Sequence, residues 1–408
     1  MSDNLAKIEA LVPDFQYVDS DHNRVVLTVG FSASFYFWDG HTPAKRAALI
    51  ECVEAFEAAY GHELKWGCNP DTWKTVRLED KKLPSFRNHV KTLDEDDAVE
   101  WYVASGEDRE EVSDYALTCL TERGWMEGRI SSLSFHLPRA LIFQAEQQKT
   151  LSDLIFLCND RLTPFHGHAG FGAITTEQQI EWEPEELDVA TRYLALYAGG
   201  TFDALQAPNG LKSMDWLTFI GNTLTQRLGG PDAFVAYCRR FGVEPTPHGS
   251  GFFIRSGEYP QLGPVEEPVP EAYVRANAAL RPLRNGNFGS MGTGSVNGEC
   301  RFNRCTSDLW IRRLDAPGIW PPTSLIGLPR TPVGKVPSKK IRLKTGETCA
   351  VHGRYRHPAF EAVAAGDDDD APQVVLMPGD VAPYWLKLGP HGEYLGRDTV
   401  AWELVAEL

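Results

Sequence analysis

Residues 25–38 read VVLTVGFSASFYFW, and within them Val25, Leu27, Val29, Phe31, Ala33, Phe35 and Phe37 alternate with a smaller or more polar set. A period of two sends successive side chains to opposite faces, so the stretch predicts a long strand with one buried face. Directly after it, Thr42 offers an N-cap oxygen and Pro43 a φ already set for a first helical turn. Leu49, Cys52, Val53, Phe56 and Tyr60 then recur at helical spacing up to Gly61, and HELKWGC, residues 62–68, reads as the next strand.

The same order returns further along the chain. Leu133, Phe135, Leu137, Leu141 and Phe143 alternate, with Pro138 marking a bend or an edge. Leu151, Ile155, Cys158 and Leu162 make one helical face, and FHGHAGFGAI, residues 165–174, supplies a Gly-rich strand or turn. Two similar βαβ-like halves are expected, without the internal identity that would mark a duplication. Further helices are predicted over 110–120, 184–198 and 231–241. The second has Pro184, Glu185 and Glu186 in its first turn and Gly199 and Gly200 after its end. Strands and helices mix without a strict alternation, which predicts an α+β fold with mixed or antiparallel sheets and packed helices.

At 285–298 the chain reads NGNFGSMGTGSVNG, where nothing periodic survives. This predicts a first domain over 1–284, a linker over 285–298 and a second domain over 299–408. SKKIRLKTGETC, GRYRHP, PQVVLMP and DTVAWELV read as short strands of a small β-rich C-terminal module, with GDDDDAP, residues 366–372, as an exposed loop tip.

The 408 residues are 42% hydrophobic and 11% aromatic, enough apolar mass for a large core. No apolar run reaches the ~20 residues of a membrane-spanning helix, so no membrane partner is expected. The start, MSDNLAKIEALVPDF, lacks the basic and apolar regions of a secretory signal, and the eight cysteines are thinly spread. A cytoplasmic protein with reduced thiols is expected. The net charge is -16, and its distribution is uneven. Asp94, Glu95, Asp96, Asp97, Glu100, Glu107, Asp108, Glu110 and Glu111 face Arg109 alone across 94–111, a local -8. Residues 301–356 carry twelve Lys and Arg against Asp308, Asp315 and Glu347, a local +9. Fields of this kind steer encounters with oppositely charged partners, and the strong overall negative charge argues against nucleic-acid binding.

Constellations that carry chemistry are sparse. His166 and His168 would share one face of a strand, a spacing that can chelate a metal, but no third ligand is in view and a structural pair is the favoured reading. Cys300, Cys305, Cys349 and His352 would make a Cys₃His zinc site only through a C-x₄-C spacing looser than usual, and reduced structural cysteines are favoured. The glycines of 289–294 lack the preceding strand and following helix of a dinucleotide site. Neither a G-x-S-x-G elbow nor an H-E-x-x-H pair is present. Lys335, Lys339, Lys340, Arg342 and Lys344 read as the open face of an edge strand. No catalytic residue, resident metal or cofactor is expected.

Three stretches carry a resemblance: FHGHAGFGAI, then GLKSMDWLTFIGNTLTQRLGG over 210–230, then HGSGFFIRSGEYPQLGPVEEPVPEAYVRANAALRPLR over 248–284. Together they resemble the bacterial type VI secretion immunity proteins of the TsiV-like family. The resemblance covers 1–285, is strongest after Phe165 and faint before Val25, and does not extend over the C-terminal module. It implies a non-catalytic protein that binds a cognate toxic effector in the cytoplasm and blocks its active site or substrate path. An adaptor or chaperone of the effector is the alternative, with a metal-dependent enzyme behind it. Trp216, Leu217, Phe219, Phe252, Phe253 and Tyr259 read as scaffold, because the surface that discriminates one effector from its relatives must differ between pairs. The expected contact surface is therefore the acidic segment, Asp94, Glu95, Asp96, Asp97 and Glu100, set against a nuclease or another enzyme with a cationic cleft.

Overall fold

The computed structural model describes residues 3–19, 22–177, 179–200, 203–285, 288, 290–292, 302, 304–315, 337, 339–358, 373–388 and 394–407. They cluster in two compact units, Met1–Asn287 with Leu314–Pro317, and Phe288–Arg313 with Gly318–Leu408.

The alternating stretch forms β2 (Arg24–Phe37), paired through a hairpin with β1 (Tyr17–Asp19). It lies in the middle of the first unit's sheet. The other strands are β3 (Trp66–Cys68), β4 (Thr75–Arg77), β5 (Glu100–Ala104), β6 (Ala116–Leu120), β7 (Ser131–Leu137), β8 (His166–Thr175), β9 (Leu217–Gly221), β10 (Thr246–His248) and β11 (Gly251–Arg255). Their order is β10-β11-β9-β8-β2-β7-β6-β5-β3-β4, and every pair is antiparallel. The fold is α+β, as expected.

The apolar set of β2 faces two long helices. Thr42 caps Pro43–Tyr60 by accepting from Lys45 N, and the helix buries Leu49, Cys52, Val53, Phe56 and Tyr60. Ala145–Leu162 buries Leu151, Leu154, Ile155, Cys158 and Leu162. Phe56 meets Phe135 at 5.7 Å between ring centroids, and Phe35 meets Phe219 at 5.6 Å. Gly167 lies in register between Phe35 and Phe219, and a Cβ there would stand 2.6 Å from Ser34 O. A side chain at this position would displace the strand and part the rings. Each fully buried Phe or Leu contributes roughly 1.5–3 kcal/mol, which makes this layer the main stabiliser of the unit.

The two halves share a βαβ pattern with different crossings. Counting antiparallel steps, β2 and β3 run the same way with β7, β6 and β5 between them, whereas β7 and β8 run the same way with β2 alone between them. The first crossing thus passes two strands of the opposite direction and one of the same, and the second passes a single opposite strand.

Three predicted elements are corrected. Residues 116–120, expected in a helix over 110–120, form β6, because a central strand between β5 and β7 satisfies its backbone and buries Ala116, Leu117 and Cys119. The helix expected over 184–198 spans Glu183–Arg192. Beyond it Tyr193 is extended, and residues 194–197 bond to Leu262, Gly263, Phe171 and Ala173 instead. Leu141 and Phe143 do not continue β7, which ends at Leu137; after Pro138 the chain turns into a short 3-10 helix.

The second unit holds β12 (Arg342–Lys344), β13 (Gly353–Arg356), β14 (Gln373–Leu376), β15 (Trp385–Leu388), β16 (Tyr394–Asp398) and β17 (Ala401–Glu407). Four of them form a sheet of order β12-β17-β13-β14, and β15 and β16 form a hairpin. Its core is Trp402, Tyr355, Val374 and Leu404. Arg342 and Lys340, beside the edge strand β12, pair with Glu403. The loop expected at 366–372 lies outside the described residues.

Candidate functional site

The face of β2 turned away from the helices is polar. Ser32, Ser34 and Tyr36 lie on it, and register brings His136, Ser134 and Ser132 of β7 and Gly170, His168 and His166 of β8 beside them. Ser134 Oγ donates to Ser34 Oγ at 2.9 Å. A groove of about 390 Å³ runs over this surface. Its floor includes Ser32, Ser34, Ser132, Ser134 and Thr118, and Glu186, Tyr197, Gly199 and Asp203 line it too. Trp73, at a hairpin tip, donates Nε1–H to Glu177 at 3.2 Å, and Arg109 pairs with Glu177 at 2.7 Å.

Glycines on β8 make room for what crosses this face. A Cβ on Gly170 would lie 1.9 Å from Asp215 Oδ1, and one on Gly172 would lie 2.5 Å from Ser32 Oγ. The FHGHAGFGAI pattern therefore has a steric cause.

At the groove's inner end polar side chains from separate segments meet. Asp215 accepts from His168 Nδ1 at 3.1 Å and from Trp216 N at 2.7 Å. His168 stacks on Tyr197 with ring centroids 3.7 Å apart. Lys212 donates to Ala198 O, to Gly199 O and to Asp203 Oδ2, the last at 2.7 Å. Tyr36 OH reaches the same carboxylate at 3.2 Å. Glu186 accepts from Gly199 N at 2.6 Å, and burial pushes its carboxyl up to about 7. His166 donates Nε2–H to Ala207 O at 2.9 Å, and burial pushes it down to about 4. His136, which donates to Ser113 O, is likewise brought to about 4 by burial.

His166 and His168 do share one strand face, but each ring bonds to a different group. Among the described residues no three His, Cys, Asp or Glu side chains gather as a metal would require. Of the four residues weighed for zinc, Cys300 and the Cys305 side chain lie outside the described residues. Cys349 is buried with Sγ 3.3 Å from Tyr355 OH, and His352 is half-buried. Lys212, Asp203, Asp215 and Glu186 were not singled out from the sequence. Their signal was ionisable residues embedded in apolar surroundings, as in GLKSMDWLTF.

The acidic segment divides in two. Glu107 pairs with Lys65 at 2.7 Å and Arg77 at 3.6 Å, and Arg24 takes Asp108 at 3.1 Å and Glu110 at 2.7 Å. Asp94, Glu95, Asp96 and Asp97 are exposed, and among the described residues none of them has a Lys or Arg partner within 4.0 Å. Their loop is held through its main chain. The buried Arg46 donates to the carbonyls of Leu93 (2.9 Å), Asp94 (2.5 Å) and Asp97 (2.8 Å). Asp97 Oδ2 accepts from Asp94 N, and Gly124 N donates to Glu95 O. Glu100 stands at the start of β5, half-buried, 3.9 Å from Arg123.

Comparison with known proteins adds a family. The model of the TsiV family, described as type VI immunity for VRR-NUC, matches residues 48–314. Among solved structures, the Pseudomonas aeruginosa T6SS protein PA0821 is similar at 27% identity and a TM-score of 0.66, over 76% of this chain and 90% of that one. No curated protein matches.

Proposed function

This chain belongs to the TsiV family of type VI immunity proteins, and from that premise we propose that it neutralises a VRR-NUC nuclease effector by laying the Asp94–Asp97 carboxylates in the enzyme's substrate path. The observation that carries this reading is the loop itself: four exposed acids that have no Lys or Arg partner among the described residues, held from beneath by Arg46. A nuclease must attract phosphates with cationic groups, and carboxylates offer those groups the same charge and acceptor chemistry. Arg46 holds the loop by its main chain, and Asp94 and Asp97 each accept one backbone N–H within it, so the exposed carboxylates are pre-ordered and less entropy is lost on binding. The unpaired charge also speeds encounter. Binding takes place in the cytoplasm, where the nucleic acid to be protected lies. Among the described residues no helix is long and apolar enough to cross a membrane. The protein acts by occupancy rather than turnover.

Co-expression tests this directly. Cells making the cognate nuclease are expected to grow only when this chain is co-expressed, and the two proteins should co-purify as a stable complex. Continued killing with both proteins present at equal levels would reject the reading.

A further inference from the structure

The groove has no role in the immunity reading, and its inner end holds acceptors with nothing to accept. A carboxylate only accepts, so His168 donates Nδ1–H to Asp215, and in the tautomer that carries its one proton there Nε2 is an acceptor. Nε2 is buried, without a hydrogen-bond partner among the described residues. Asp203 shares Oδ2 among Lys212, Tyr36 and Tyr197, while its Oδ1 is buried and has no hydrogen-bond partner among the described residues. His168 and Asp203 are each 5% exposed and line the groove, as does Glu186 at 6%. An unfilled buried acceptor carries a desolvation penalty that a donor would remove.

The surroundings narrow the donor. Glu177, Glu186 and Asp203 line the groove and no Lys or Arg does among the described lining residues, so an anion would meet carboxyl groups rather than cations. Tyr36, Trp73, Tyr102 and Tyr197 present aromatic surface, and Lys212 already lies 4.1 Å from the Tyr197 ring centroid. Serine and threonine hydroxyls on the floor complete a surface suited to several N–H groups at once.

We propose that the groove is a binding site for a guanidinium or ammonium group, which donates to Asp203, Glu186 and His168 against the aromatic walls. The group belongs either to an arginine or lysine of the effector or to a free amine; the chemistry is the same. The site stands apart from the 94–97 loop and does not depend on the immunity reading.

The test titrates methylguanidinium into the full chain and follows amide resonances by NMR. Saturable shifts at Ser34, Ser134, His168 and Gly199 are expected. Tetramethylammonium, which carries charge but no N–H, should bind about tenfold more weakly or not at all. Ser132→Trp fills the groove while leaving every acid in place and should abolish the shifts. Glu186→Gln, close in size to the native side chain, should weaken binding about tenfold. Absence of saturable shifts in the native chain, or equal binding by Glu186→Gln and tetramethylammonium, overturns the proposal even if Ser132→Trp fails to fold. Once the probe binds, effector association with a folded Ser132→Trp identifies the source. Weakened association assigns the group to the effector and unchanged association to a free amine, and the site stands in either case. The 94–97 loop, read by its own variants, is untouched by these outcomes.

Discussion

Asp203 and Asp94 are the same residue put to opposite uses. Asp203 is 5% exposed and rests on Lys212 at 2.7 Å, with Tyr36 and Tyr197 on the same oxygen. Asp94 is exposed, and its loop is fixed by Arg46 through carbonyls. Around Asp203 the side chains are spent on one another and the backbone is gathered to them. Around Asp94 the backbone is fixed by Arg46 and by the Asp94 and Asp97 carboxylates, which face solvent without a Lys or Arg partner among the described residues. A buried carboxylate without its cation would be costly, so Lys212 is needed to hold Asp203 in place. An exposed carboxylate costs little to leave unpaired, and its field reaches solvent.

The sharpest way to break the contrast is to remove the cation from the buried side. Lys212→Met strands Asp203 and is expected to cost about 3–5 kcal/mol, read as a lowered denaturant midpoint. A loss under about 1 kcal/mol would mean that the pair is not what holds this region.

Titration sharpens it next. Burial raises Glu186 from 4.5 to about 7, so the folded chain keeps a proton that the unfolded chain has lost. The resulting stability is fully present below pH 4.5 and is lost as pH rises to about 7. His166 and His136, lowered by burial to about 4, slope the other way: their stability is present above 6.5 and is lost as pH falls towards 4. The difference between Glu186→Gln and the native chain therefore isolates the glutamate. The variant should gain roughly 3 kcal/mol relative to the native chain between pH 4.5 and 7. Parallel pH profiles would contradict this.

Removing the support under the exposed side comes third. Arg46→Gln should cost roughly 2 kcal/mol and speed hydrogen exchange at residues 94–97, since hydrogen bonds from a charged donor hold their carbonyls. Unchanged exchange would show that the loop holds itself.

These contrasts show which parts of the molecule were legible in the sequence. The period of residues 25–38, the Thr42 cap and the shared face of His166 and His168 follow from local geometry, and each took its expected place. Residues 116–120 did not, because pairing with β5 and β7 decides their state and no local period reports it. The cluster at the groove's end draws Tyr36, His168 and Glu186 to Asp203, Lys212 and Asp215, through strand pairing and the course of residues 193–200 that local sequence does not report. The charge of 94–111 was plain, but its division was not. The cations that pair with Glu107, Asp108 and Glu110 are Lys65, Arg77 and Arg24, all from other strands or loops.

In the proposed complex the exposed acids of the 94–97 loop are the ones that meet the effector. Replacing Asp94, Glu95, Asp96 and Asp97 with their amides should change stability by less than about 0.5 kcal/mol, since the substitutions are at the surface. Stopped-flow association of this variant with the cognate nuclease across a salt series is the decisive measurement. Association slowed about tenfold or more at low salt, with a flattened salt dependence, is expected. Association as fast and as salt-dependent as that of the native chain would contradict it.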